Sequence, residues 1–351
     1  MRPSFVFWTG IRIAGYKLTR RTGWPVPMPI NLAISITERC NSRCKTCNVW
    51  KNKTKKELTV GEWERIFKSI GKTCAWITVS EGETFISRNL VEIMRLVEEN
   101  IQPQIITLPT NGILTERIEK YVREILKFHK GMLVVNLSLD GIGNLHDKIR
   151  GVKGNFKNLL ESVSAIKSLK KEYENLTLGI NTVISKYNIN QIREICDFVS
   201  SEISPDSHIF EIARNSKSLY NTRMNIRPNI KRYLEVIGDV TKNEERSLIC
   251  FFRKRYYKLV KDMLESENEV IPCYAGISSA HISSTGEVWA CPLLCESMGN
   301  LREENYDFKK IWKSEKAKRI RKDIKDRQCW CTSANPNYTN ILCSLSRLIK
   351  G

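Results

Sequence analysis

From about residue 30 to residue 212, short apolar runs alternate with segments of helical periodicity, and this restricts the fold more than any other feature. Residues 31–36, 75–80, 104–108, 133–139, 176–184 and 208–212 read as strands. Residues 59–70, 88–99, 115–128, 156–171 and 189–200 read as helices, the first opened by a capping box from Thr59 to Glu62. Strands alternating with helices of this length specify an α/β fold, a parallel sheet covered by helices. Six such units form an open or partial barrel with its chemistry at the C-terminal strand ends. Past Arg214 the pattern breaks into a polar, mostly helical stretch over 216–268. At Ile271 the character changes again, and 277–283 with 287–290 flank Ser284-Thr285-Gly286 as a hairpin.

Hydrophobic residues make up 41% of the 351, enough for a sizeable core. No apolar run approaches the roughly 18 residues of a membrane span. Phe5-Val6-Phe7-Trp8 is apolar but short, soon followed by Arg12, Lys17, Arg20 and Arg21, and lacks the pattern of a secretory signal. The expectation is a cytoplasmic protein whose first residues lie on an anionic membrane surface, peripheral at the inner membrane. The net charge of +19 invites an acidic partner: nucleic acid, anionic lipid or acidic peptide. Solvated basic helices explain the same charge, as over 309–325, and no RNA-binding module supports nucleic acid.

Twelve cysteines are present, and a reducing compartment argues against disulfides. Cys74, Cys196 and Cys250 stand alone and read as core residues, while the other nine fall in two groups that call for a metal. Cys40, Cys44 and Cys47 form a Cys-x3-Cys-x2-Cys motif on the loop after the first strand. Three thiolates on one short loop can hold three irons of a 4Fe–4S cube and leave the fourth open. Zinc is the alternative, and it ordinarily takes a fourth Cys or His close by.

The stretch from Cys40 to Trp50 resembles the cluster loop of radical S-adenosylmethionine (SAM) enzymes. The resemblance extends along nearly the whole chain and implies a partial (β/α)6 TIM-like barrel. It implies SAM chelated to the open iron, reductive cleavage to a 5′-deoxyadenosyl radical, and hydrogen abstraction from a substrate. A reductant such as ferredoxin or flavodoxin is then a partner. Gly82 and Glu83 match the family's Gly-Gly-Glu-Pro segment at the SAM amino group, with Glu81 and Thr84 in place of a Gly and the Pro. Asn111, Ser138 and Asp140 fall where members shape the SAM pocket, and Arg150 and Arg214 are candidates for its carboxylate. The four histidines read as structural, and no residue stands out as catalytic.

Cys273, Cys291, Cys329 and Cys331 resemble the ligands of a C-terminal SPASM/Twitch extension, which holds an auxiliary 4Fe–4S cluster around a hairpin and after a helix, here over 308–324. Cys295 and Cys343 are alternates, and a zinc knuckle is the competing reading. The expected division is a basic, aromatic segment over 1–29, the barrel over 30–215, a helical connector over 216–270 and the auxiliary region over 271–351. The expected substrate is a peptide or protein, or a lipid or glycan precursor, with the aromatic and basic run 220–261 available to cover it. A non-catalytic iron–sulfur scaffold and a nucleic-acid modifying protein are the alternatives.

Overall fold

The computed structural model describes residues 3–52, 56–240 and 248–344. Six strands and their crossover helices follow one another: β1 (Asn31–Ile34), α2 (Val60–Ile70), β2 (Trp76–Val79), α3 (Leu90–Asn100), β3 (Ile105–Thr110), α4 (Thr115–Leu126), β4 (Met132–Ser138), α5 (Asn144–Arg150), α6 (Asn155–Lys170), β5 (Leu176–Ile184), α7 (Ile192–Phe198) and β6 (Ser207–Ile212). A helix α1 (Pro3–Thr22) precedes them. After them come α8 (Ile230–Val240), α9 (Leu248–Ser266), β7 (Ser279–Ile282), β8 (Glu287–Trp289), β9 (Ser297–Asn300), α10 (Phe308–Trp312), α11 (Glu315–Asp326) and α12 (Ala334–Cys343).

β1 to β6 pair in order and all in parallel, as the alternation of strand and helix requires. This is the partial (β/α)6 barrel expected from the sequence. Leu32, Ile34, Ile77, Val79, Ile106, Leu108, Leu133, Val135 and Leu137 are buried along its strands. Trp63, Ile66, Phe67 and Ile70 of α2 pack against them, each fully excluded from water. Replacing Phe67 by alanine should cost about 3–5 kcal/mol, read as a lower urea midpoint.

The hairpin is not a separate module. β7 joins the free edge of β1 in parallel, with Leu32 opposite Ala280 and Ile34 opposite Ile282. β8 and β9 continue the sheet antiparallel, making one nine-stranded sheet.

The expected helix over 308–324 is two helices. Lys313 leaves helical angles at φ −96°, ψ 0°, and the Ser314 hydroxyl caps α11 by accepting from the Ala317 N–H at 3.1 Å. Helix α5, held between Gly143 and Gly151, was not legible in the apolar pattern because it is short. The first 29 residues are mostly the helix α1, in which Tyr16 is fully buried and donates to the Met28 carbonyl at 2.8 Å. Arg12 donates to the same carbonyl at 3.0 Å, and Arg20 pairs with Glu269 at 2.9 Å. Those two cations are engaged within the protein rather than offered to a membrane. The side chains of Phe5 to Trp8 lie outside the described residues. No helix among the described residues is long and apolar enough to cross a membrane. In the run 220–261, Tyr233, Tyr256 and Tyr257 are core residues, not a cover for substrate.

The capping box of α2 also ties the auxiliary region to the barrel. Glu62 accepts from Arg302 at 2.7 Å and from the Tyr306 hydroxyl at 2.9 Å. The Arg302 guanidinium holds its carboxyl down at about 2, below the ordinary 4.5. The folded-state value is depressed, so the pair's contribution is full above about 4.5 and fades as pH falls toward 2. Arg302→Met should lose about 1 kcal/mol at neutral pH. Urea melts should show its deficit shrinking through that acid window; a deficit independent of pH would refute the assignment.

Candidate active site

β1 ends at Ile34, and the chain then crosses the C-terminal end of the barrel as the loop that carries Cys40, Cys44 and Cys47. The Arg43 and Lys45 amides donate to the Arg150 and Ile149 carbonyls at 2.9 and 2.8 Å. Gly151 sits so close that a Cβ there would lie 2.4 Å from the Arg43 carbonyl oxygen. From the connector, Asn221 Nδ2 donates to the Thr46 carbonyl at 2.8 Å. The loop is thus held from two sides before any ligand arrives.

All three thiols are free. Burial pushes Cys40 up to about 11 and Cys47 up to about 12, and it raises Cys44 as well. Arg150 opposes this in each case by favouring the thiolate. The Ser42 and Val49 amides point at the Cys40 and Cys47 sulfurs, each at 3.5 Å. A cationic site with amides aimed at sulfur suits thiolates bound to iron. A 4Fe–4S cube gives each thiolate its own iron, which suits three thiols spread along one loop.

The segment after β2 is stitched to this loop. Gly82 has φ +55°, and a Cβ there would stand 2.5 Å from the Thr37 oxygen and 2.7 Å from that of Arg39. The Glu83 amide donates to the Arg39 carbonyl at 2.8 Å. The buried Glu83 carboxyl accepts from Thr110 Oγ1 at 2.7 Å and from the Asn111 amide at 2.8 Å, and burial raises its pKa. Asn111 Nδ2 reaches back to Asn41 Oδ1 at 2.7 Å and Ser42 Oγ at 2.9 Å. Asp140 is buried, pairs with Arg150 at 3.1 Å and accepts from the Val183 amide at 2.9 Å. Burial works against the Arg150 charge, but Cys44 and Asp140 hold its pKa above the ordinary value. Among the described residues Arg150 Nε has no partner.

Gly82, Glu83, Asn111, Asp140 and Arg150 therefore gather around the three-cysteine loop. β4 ends at Ser138, which pairs with Asn181 of β5, and Asp140 follows in the loop beyond the strand. Arg214 is elsewhere: it pairs with Glu211 at 2.6 Å and faces Cys331.

The second group comes from the segments before β7, after β8 and after α11. Burial raises Cys273, Cys329 and Cys331 and pushes Cys291 up to about 12, and Cys329 adds to the rise of the other three. The alternates are apart. Cys343 is buried in an apolar cluster with Tyr16, Ile30, Tyr274 and Ile277. Cys295 faces Glu81, Lys217 and Glu38. Cys343→Ala should therefore retain about eight irons per chain after reconstitution, whereas Cys273→Ala should fall to about four. Equal iron in both variants would overturn the grouping.

A cavity of about 270 Å³ opens inside the barrel, lined by Glu81, Glu211, Arg214, His281, Cys291 and Asn335 among others. Sequence reading missed His281 and Asn335, because only the parallel docking of β7 on β1 and the return of α12 bring them to the wall.

A partial barrel with a three-thiol loop on its first strand and a second thiol group beyond an appended hairpin defines an iron–sulfur enzyme of radical type. Residues 34–199 match the Radical SAM superfamily, and residues 273–333 match SPASM, an iron–sulfur cluster-binding domain. The chain belongs to the radical SAM superfamily and carries a SPASM domain; its cofactors are a SAM-binding 4Fe–4S cluster, an auxiliary 4Fe–4S cluster and SAM. It is 23% identical to an AdoMet-dependent heme synthase of Methanosarcina barkeri, over 86% of this chain and 87% of that protein. It is 22% identical to the subtilosin biosynthesis protein AlbA of Bacillus subtilis, over 85% of this chain and 63% of that one. The fold matches Streptococcus suis SuiB bound to the precursor peptide SuiA, with TM-score 0.61 and 19% identity over 92% of this chain and 72% of that one.

Proposed function

We propose that the chain abstracts hydrogen from one residue of a peptide held in the barrel cavity. The observation that carries this is the cavity itself, about 270 Å³, with Glu81 beside the Gly82–Glu83 segment and Cys291 of the second thiol group in its wall. Pockets that enclose a whole drug-sized molecule run from about 300 to 1,000 Å³, so a side chain suits this one. AlbA and SuiB, both associated by name with peptides, support the choice. Nothing in the structure favours a lipid or glycan precursor.

In this reading Cys40, Cys44 and Cys47 hold the SAM-binding cluster, and Cys273, Cys291, Cys329 and Cys331 the auxiliary one. Bound there, cluster and SAM supply a 5′-deoxyadenosyl radical. Gly82 and Glu83 form the floor for the SAM amino group, while Asn111 and Asp140 keep that floor and Arg150 in register. Arg150, its Nε unpartnered among the described residues, offers the charge for the SAM carboxylate. Arg214 serves the substrate cavity instead. Residues 30–215 work as the barrel, 216–270 as connector and 271–351 as the auxiliary region, with 1–29 packed on the last. Ferredoxin or flavodoxin is the reductant.

A second reading follows from the heme synthase, which aligns over most of both chains. There the cavity would take one edge of a tetrapyrrole. The test is anaerobic reconstitution, dithionite and SAM, with 5′-deoxyadenosine and substrate mass followed for a synthetic peptide pool and for Fe-coproporphyrin III. A mass change on a peptide supports the proposal, and one on the porphyrin alone replaces it. Iron without any deoxyadenosine returns the chain to a scaffold.

A further inference from the structure

One wall of the cavity carries acid–base groups that neither thiol group uses. β7 docks on β1 with His281 opposite Ala33, two residues before Ser35. The Ser35 hydroxyl donates to Glu81 Oε2 at 2.8 Å and meets His281 Nε2, also at 2.8 Å. A hydroxyl has one proton to give, so while Glu81 is ionised Ser35 donates to the carboxylate and His281 Nε2–H donates to Ser35. That order leaves His281 Nδ1 as an acceptor. Among the described residues neither His281 Nδ1 nor Glu81 Oε1 makes a hydrogen bond of direct geometry, although their side chains are 1% and 4% exposed. Both side chains line the cavity. The backbone adds a second sign. Glu81 sits at φ +61°, a conformation a side chain adopts at a cost, and that geometry accompanies its place on the cavity wall.

Besides Ser35, the carboxyl has the Ser218 side chain as a hydrogen-bonding neighbour. Glu38 comes from the loop after β1, Ser218 and Tyr220 from the connector, and Cys295 from the turn after β8. Among the described residues no lysine or arginine pairs with it. Burial, with Glu38 adding its charge and Ser35 and Ser218 opposing, raises the carboxyl to about 7. Burial likewise holds His281 neutral, down at about 3.

We propose that Glu81 is a catalytic proton acceptor for the substrate, held by Ser35 and His281, and that the substrate presents a hydroxyl, thiol or ammonium group to Glu81 Oε1. This rests on the reading of hydrogen abstraction in the cavity. In the step, the substrate X–H bond breaks, its proton passes to Oε1 and the electron pair stays on X. No oxidant or reductant enters it. His281 is a positioning residue, donating to Ser35 while Glu81 is ionised.

The first measurement needs no substrate. Reconstituted protein is treated with dicyclohexylcarbodiimide, which requires the protonated carboxyl, and the adduct on Glu81 is mapped by peptide mass spectrometry across pH. The adduct should fall as pH rises through about 7. In Ser35→Ala the midpoint should move up, because the bond that favours the charged form is gone. No adduct, or one that persists unchanged to alkaline pH, overturns the proposal. The second measurement uses whichever probe reacts in the peptide pool or as Fe-coproporphyrin III. Glu81→Gln should lower product formed per deoxyadenosine about 100-fold, and Glu81→Asp should recover part of it with a shifted pH profile. A Gln variant with the parent's ratio and pH profile also overturns it. If Glu81 labels as expected while SAM yields no deoxyadenosine, the site stands and the hydrogen-abstraction reading falls.

Discussion

Replacing Cys44 with alanine should abolish SAM cleavage and remove about four of about eight irons per chain, with the fold retained. Cys44 is the most enclosed of the three loop thiols and the one most strongly coupled to Arg150. Without it the loop offers two thiolates, and the site no longer fits a three-thiolate cube. The Arg43 and Lys45 amides on either side keep their bonds to α5, so the barrel should survive. Iron analysis, circular dichroism and deoxyadenosine release on one preparation decide it. Deoxyadenosine at the parent's level from the variant would mean that these cysteines do not hold the SAM-binding cluster.

Gly82→Ala is expected to destabilise the protein by about 2–4 kcal/mol and to slow SAM cleavage about 100-fold. The added Cβ would meet two backbone oxygens of the cysteine loop, at 2.5 and 2.7 Å, and neither can rotate away. Either β2's exit or the loop must shift, which moves the cluster site relative to the SAM floor. Gly143→Ala is the control, since Gly143 also has positive φ, +54°, but faces open space. It should cost about 1–2 kcal/mol and leave SAM cleavage near the parent's. Equal losses in both variants would attribute the effect to backbone strain alone, and the close approach to the loop would carry no weight.

Local chemistry was legible in the residues themselves. The three-cysteine loop, the Thr59–Glu62 capping box and the alternation of strands and helices depend on neighbours a few positions apart, so a linear reading reaches them. The break at Ser314 escaped for a related reason: the apolar period of 308–324 continues across it, and only a side-chain cap divides the helix. The aromatic run 220–261 has a composition that suits a cover or a core equally. Its tyrosines became core because Tyr256 and Tyr257 found partners in Thr332 and Phe210, far away in the chain.

The sequence by itself determined the sheet's parallel order, the place of the thiols and the class of chemistry, since each follows from period or spacing. Only the tertiary structure decided what faces the substrate. The parallel docking of β7 on β1 sets His281 beside Ser35 across 246 residues, and the positive φ of Glu81 accompanies a carboxyl placed on the same cavity wall. Strand pairing between distant segments is settled by burial and hydrogen bonding of the whole sheet, a sum over the chain that no local pattern contains.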